Sequence, residues 1–163
     1  MKRYLRNFFT TRFALKHAFP QLALDAIEAA IAHGETTHSG EIRFVIETAL
    51  DLPALVRGVR PRDRALELFA GLGVWDTAMN NGVLIYVLLA ERMIEIVADR
   101  GYDNLVSADE WQAVCETMRS DFKHDRFRNG ALAGVASVST LIGRHFPPAA
   151  NDVNELANRP TIL

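Results

Sequence analysis

The chain has 163 residues, enough for one domain of ordinary size. It is 49% hydrophobic and 23% charged, which excludes disordered, collagen-like and low-complexity classes. The net charge of −2 provides no overall basic field for nucleic acid, but it is unevenly divided: residues 1–17 hold Lys2, Arg3, Arg6, Arg12 and Lys16 with no acid, giving +5 against −7 for the remainder.

Cys115 is the single cysteine, so no intrachain disulfide forms and a reducing compartment is favoured. The longest apolar run, Val83 to Ala90, is far short of the roughly 20 residues that span a bilayer. Arg12 and Lys16 interrupt what would be the apolar core of a signal peptide, and no small-residue cleavage pattern follows. These features read as a soluble cytoplasmic protein, peripheral to a membrane if it meets one.

Residues 3–18 read as two short helical pieces, with Thr10 or Thr11 able to cap the second. Phe19-Pro20 punctuates. A third helix then runs to about His33, with Ala23, Ala26, Ile27, Ala30 and Ile31 as its apolar stripe and Gly34 as its stop. Residues 41–47 alternate, Ile42, Phe44 and Ile46 against Glu41, Arg43 and Glu47, which predicts a strand with one face only partly covered. Residues 51–60 read as a loop. Pro61 opens a helix with Asp63 in its first turn and Ala65, Phe69 and Leu72 inward.

Residues 83–89 are apolar on both faces, which predicts a central strand, and residues 94–98 return antiparallel after a hairpin. Ser107 followed three residues later by Glu110 is a capping box, and the helix beyond it carries Trp111, Val114, Cys115, Met118 and Phe122 on one stripe. A last helix spans about Phe127 to Phe146, with Leu132, Val135, Val138 and Ile142 inward, and residues 147–163 read as a polar tail. The order α-β-α-β-β-α-α predicts a small α/β sandwich with a mixed sheet, the first two strands parallel and the third antiparallel to the second.

No dinucleotide fingerprint, phosphate loop, nucleophile elbow or His-Glu-x-x-His motif occurs. The five histidines lack metal-ligand spacing, and Cys115 lies on an inward stripe, where packing is its expected role. The topology brings Ser39-Gly40-Glu41, Asp76 with Asn80-Asn81-Gly82, and Asp99-Arg100-Gly101 to one sheet edge. Such oxygen-rich side chains beside close-approaching backbone can hold calcium or magnesium; equally, Asn-Asn-Gly is a plain turn and Asp99-Arg100 an ion pair. The opposite edge carries Glu47, Thr48, Glu91 and Arg92, where open α/β sheets usually bind ligands. The basic arm interleaves Tyr4, Phe8, Phe9 and Phe13 with its cations. It can lie on an anionic membrane surface, or dock its aromatics on the sheet and leave the cations in water. Arg3, Arg6, Phe8, Phe9, Arg12 and Phe13 are its candidate membrane or partner contacts.

Taken together, residues 39–44, Trp75-Asp76-Thr77, Asn80 to Ile85 and Glu95 to Gly101 resemble the TPM-domain family, over roughly residues 35–146 flanked by a 1–34 arm and the 147–163 tail. The resemblance is strongest to a short bacterial subgroup with an arm like Phe9-Thr10-Thr11-Arg12 and an end like Asn154-Glu155-Leu156. It implies an α/β/α sandwich with a Rossmann-like βαβ core and a hairpin. It also implies links to divalent cations, acid phosphatase activity or assistance to membrane complexes. Many members carry a signal peptide and a membrane anchor, and neither pattern is visible in this sequence. Because the matching motifs cluster at the first edge, the candidate ligand or cation residues are Asn80, Asn81, Asp99, Arg100, Glu41 and Asp76. The expected function is a non-catalytic binding or accessory module acting at a membrane surface or on a membrane-associated protein. The alternative is a cation-dependent acid phosphatase, with Arg100 stabilising phosphoryl charge and Asp99 holding a metal or acting as base.

Overall fold

A computed structural model describes residues 2–149 and 153–163. Among these residues seven α-helices, α1 (Lys2–Phe9), α2 (Arg12–Ala18), α3 (Gln21–Glu35), α4 (Leu52–Val56), α5 (Pro61–Gly71), α6 (Ala108–Phe122) and α7 (Phe127–His145), surround strands β1 (Glu41–Glu47), β2 (Gly82–Leu88), β3 (Met93–Ala98) and β4 (Thr161–Ile162). The sheet order is β3-β2-β1-β4. β1 runs parallel to both β2 and β4, and β3 is antiparallel to β2. β2, apolar on both faces and wholly buried, is central as its composition requires.

The two faces of the sheet feed two cores. Ile42, Phe44, Ile46, Val83, Ile85, Val87, Ile94 and Ile96 point into a layer with α3, α6 and α7. Val45, Leu84, Tyr86, Leu88 and Val97 point the other way, against α4 and α5. The architecture is thus an α/β/α sandwich with a mixed sheet, as its patterning predicts. The capping box of α6 forms in both directions, Glu110 N–H donating to Ser107 Oγ and Ser107 N–H to Glu110 Oε2. Thr11 occupies the N-cap of α2 without a side-chain bond, and Thr10 donates its hydroxyl to the Arg6 carbonyl at 2.8 Å.

Four local readings change. Gly34 does not stop α3; it lies inside the helix, where a Cβ would stand 2.4 Å from Ser139 Oγ on α7, so glycine permits the close crossing. Residues 52–56 form a helical turn, because Asp51 accepts the Ala54 N–H at 2.8 Å. The tail is not merely polar chain: Thr161 and Ile162 pair with Val45 and Ile46, making β4 the strand that covers the edge of β1. Arg43 holds this segment by donating to the Ala157 carbonyl and the Thr161 hydroxyl. Residues 150–152 of that tail lie outside the described residues.

The polar face of β1 is also covered rather than half open. Glu41 and Glu47 are both buried. Glu47 accepts from Arg64 Nε and Nη2 at 3.0–3.2 Å and from the Tyr86 hydroxyl at 2.6 Å. A buried carboxylate deprived of such a partner costs about 3–5 kcal/mol, so this triad ties α5 to the middle of the sheet.

Burial, then the hydrogen bond to Glu47, pushes the Tyr86 phenol far above its usual range. Burial, followed by the charges of Asp99 and Glu41, does the same to Tyr102. Burial raises the Cys115 thiol to about 11. In each case the folded value lies above the unfolded one, near 8.5 for a thiol and 10 for a phenol, so this contribution is complete below those values and is lost as pH rises through the folded ones. The thermal midpoint should therefore fall steadily above about pH 8.5, and phenolate absorbance from Tyr86 and Tyr102 should appear only together with loss of helical circular dichroism. Phenolate formation at both tyrosines with the helical signal intact would contradict this.

Candidate functional site

The starts of β1 and β2 and the end of β3 share one sheet edge, so the topology brings together the residues expected there. Asn80 adopts a left-handed backbone (φ 50°), which asparagine tolerates, and its side-chain oxygen accepts from Arg100 Nε at 2.9 Å. A Cβ on Gly101 would stand 2.3 Å from the Asn80 carbonyl oxygen, which instead accepts the Gly101 N–H at 2.9 Å. Asn81 is 1% exposed; its amide donates to the Ser39 carbonyl at 2.7 Å, and its own carbonyl accepts the Tyr102 hydroxyl at 2.8 Å. The Asp99 Oδ1 accepts the Arg100 N–H at 2.7 Å. Close backbone approach at this edge is therefore approach of one loop to another.

Glu41 accepts the N–H groups of Glu155 and Leu156, both at 3.1 Å, while Glu155 accepts the Ala78 N–H at 3.1 Å. Both carboxylates strap the C-terminal segment across the edge. Asp76 is exposed and shares no hydrogen bond with the cluster among the described residues. Two buried oxygens, Asn81 Oδ1 and Asp99 Oδ2, have no hydrogen-bond donor among the described residues. They are what a cation would take, but calcium requires six to eight oxygens and magnesium a near-ideal octahedron. No group of three or more His, Cys, Asp or Glu side chains is arranged around a common point among the described residues. Asn81 Oδ1 and Asp99 Oδ2 by themselves are fewer oxygens than either cation takes. Arg100, held to Asn80, and Asp99, engaged with backbone, are not presented to a substrate as a phosphoryl clamp and base would be.

At the opposite edge, where β1 and β2 end, lies the arm. Asn7, 5% exposed, accepts the Leu50 N–H at 2.8 Å and donates to Glu91 Oε1 at 3.0 Å. Arg3 Nε pairs with the same Glu91 oxygen at 2.8 Å, and Arg3 also donates to the Val59 carbonyl. Thus α1 covers part of the crevice at the carboxyl ends of the parallel strands, the usual ligand position of open α/β sheets, and a polar cavity of about 140 Å³ lined by Glu47, Asp51, Arg57, Arg64 and Glu67 stays open beside it.

With Arg3 and Asn7 turned inward, the 100° step of the helix turns Leu5, Phe8 and Phe9 outward. Phe8 is 82% exposed and Phe9 70%, with rings 5.5 Å apart edge to face; Phe13 on α2 is 80% exposed. The expectation that the aromatics dock on the sheet is reversed: the arm docks through its polar side, and only Leu15 and Ala18 of α2, with Phe19, enter the core. Leu52 and Val56 of α4 extend the exposed apolar surface, and Tyr4, Leu5 and Phe8 form with Leu50, Leu52 and Leu55 a cleft of about 430 Å³. Arg6 and Arg12 are exposed beside the ridge, whereas Arg3 is committed to Glu91. Asn7 is the site residue that sequence reasoning missed. Its only signal is a lone amide among the cations and rings of the arm.

The sandwich topology and the Asn-Asn-Gly entry to its central strand agree with the resemblance to the TPM-domain family. The model of that family matches residues 16–141, and the chain belongs to it. It is similar to the BA42 protein of the psychrophilic bacterium Bizionia argentinensis, with 30% identity, a TM-score of 0.76, and coverage of 86% of this chain and 92% of that one. The N-terminal domain of a P. gingivalis protein shares the fold at 17% identity and a TM-score of 0.61, over 77% of each chain. The N-terminal domain of the cg2496 protein of Corynebacterium glutamicum does so at 17% identity and 0.55, over 75% of this chain and 72% of that one. No curated protein matches the chain by sequence. Among the described residues no helix is long and apolar enough to cross a membrane.

Asn81 joins the two strand entries by its hydrogen bond to the half-buried Ser39 carbonyl, so Asn81→Ala should destabilise the fold by about 1–3 kcal/mol in urea titration, the cost of stranding that carbonyl. A loss below about 0.5 kcal/mol would mean that this side chain is spare for another purpose.

Proposed function

We propose that this chain is a non-catalytic binding module whose N-terminal arm docks it on an anionic membrane surface. One observation carries the reading: the arm is anchored by its polar side and offers its rings to solvent. Phe8, Phe9 and Phe13 stand 70–82% exposed beside the exposed cations Arg6, Arg12 and Lys16. A contiguous apolar ridge of this kind marks an interaction surface, since a monomer gains nothing from holding three phenyl rings in water. Aromatic side chains interleaved with cations match the lipid interface, where rings enter the acyl boundary and cations meet the headgroups. The short helices suit a helix lying in the interface plane.

The test is sedimentation with vesicles of phosphatidylglycerol and phosphatidylcholine. Wild-type protein should partition onto them. The triple variant Phe8→Ser, Phe9→Ser, Phe13→Ser should do so on the order of a thousandfold more weakly, from the loss of transfer free energy of about 1.5 kcal/mol per ring. Because the rings are exposed, its thermal midpoint should not fall. Equal partitioning of the two proteins would overturn the reading.

A further inference from the structure

Beside the arm, on the flank away from the apolar cleft, a trough of about 540 Å³ is lined by Arg6, Ala90, Glu91, Arg92, Met93, Arg119 and Lys123. Four cations from three separate parts of the fold converge here: Arg6 from α1, Arg92 from the turn between β2 and β3, and Arg119 and Lys123 from the end of α6. The acid in the trough, Glu91, is already engaged by Arg3 and Asn7. Arg92 is held by Asp125 at 2.8 Å and by the Phe122 carbonyl at 3.1 Å. Arg6 and Lys123 make no ion pair among the described residues, and Arg119 has only the nearby charge of Glu95 on β3, without a salt bridge.

A helix C-terminus favours cations through its dipole, which accounts for Arg119 and Lys123 singly. It does not account for Arg6 reaching the same trough from another element. Nor does it account for two like charges one helical turn apart, which repel each other in the absence of an anion.

We infer that this trough receives the phosphate of an anionic phospholipid headgroup and so orients the docked protein; the inference rests on the membrane reading above. The geometry of α1 supplies the reason. An interfacial helix sinks its apolar face about 5–10 Å into the headgroup and acyl boundary. With Leu5, Phe8 and Phe9 at the bottom of the helix, Arg6 lies on its flank, about half the helix's 10–12 Å width higher, at the level of the phosphates. The trough opens at that same flank. The lipid phosphate is then the counter-anion that the described residues do not supply to Arg6 and Lys123.

The experiment compares wild type, the double variant Arg119→Gln, Lys123→Gln, and Arg6→Gln on phosphatidylglycerol-containing vesicles. Each basic residue near an anionic surface contributes about a factor of five, so the double variant should partition about thirtyfold more weakly and Arg6→Gln about fivefold. Melting temperatures report whether each variant is folded, and Arg6→Gln, on a different element, gives an independent reading. Retention of both variants equal to wild type, with the phenylalanine variant still impaired, would overturn the trough and leave the membrane reading standing. Absence of wild-type retention on these vesicles would overturn both. Displacement of wild type by inorganic phosphate at constant ionic strength would overturn the headgroup assignment in favour of a soluble phosphate.

Discussion

The buried amide of Asn7 bridges the turn after β1 and the turn after β2, and the exposed surface of the arm follows from it. Its oxygen takes the Leu50 N–H and its nitrogen gives to Glu91, which Arg3 also engages. A helix has one inward side, and once two polar residues one turn apart occupy it, the residues opposite have nowhere to go but solvent. The first helix is amphipathic and packed inside out, and the two phenyl rings it exposes, Phe8 and Phe9, are a consequence of that clasp.

The same clasp decides what the sheet edges can do. In open α/β sheets the crevice at the carboxyl ends of the parallel strands is the common ligand position. Here the chain's own arm covers the part of it next to Leu50 and Glu91. At the amino ends, Asn81, Asn80 and Gly101 tie the strand entries together, and Glu41 and Glu155 fasten the C-terminal segment across them. Much of both edges is thereby spent on holding the fold, leaving a small polar cavity around Glu47, Asp51 and Arg64, whereas the exposed apolar and cationic surface lies around α1.

Much of the scaffold was legible along the chain. The uniform apolar run of β2 predicts a central strand, and the Ser107–Glu110 box with its stripe predicts α6, because these signals are local. What was not legible depends on partners far away in sequence. β4 is two residues long and has no periodicity to read; it exists because Arg43 and the edge of β1 capture it. Glu47 looks like a solvent-facing residue of an alternating strand, and only Arg64 and Tyr86 make its burial tolerable. The residues of the arm were legible as a basic aromatic surface, but not which side faces water. That was settled by contacts of Asn7 with residues 43 and 84 positions away. The oxygen-rich edge was assembled as the topology predicts, yet hydrogen bonding spends most of its donors internally, and the strap residues Glu155 and Leu156 lie in a segment that reads as polar tail.

The central claim is that the outward ridge of α1 enters the lipid interface. It is tested most directly by a probe on that ridge. Cys115 is buried and its thiol raised to about 11, so a thiol introduced in place of Phe9 can be labelled selectively with an environment-sensitive fluorophore. On addition of phosphatidylglycerol vesicles the emission should rise and shift to the blue, and it should be quenched by a quencher attached to the acyl chains. Emission unchanged by the vesicles, and untouched by the lipid-borne quencher, would contradict the account.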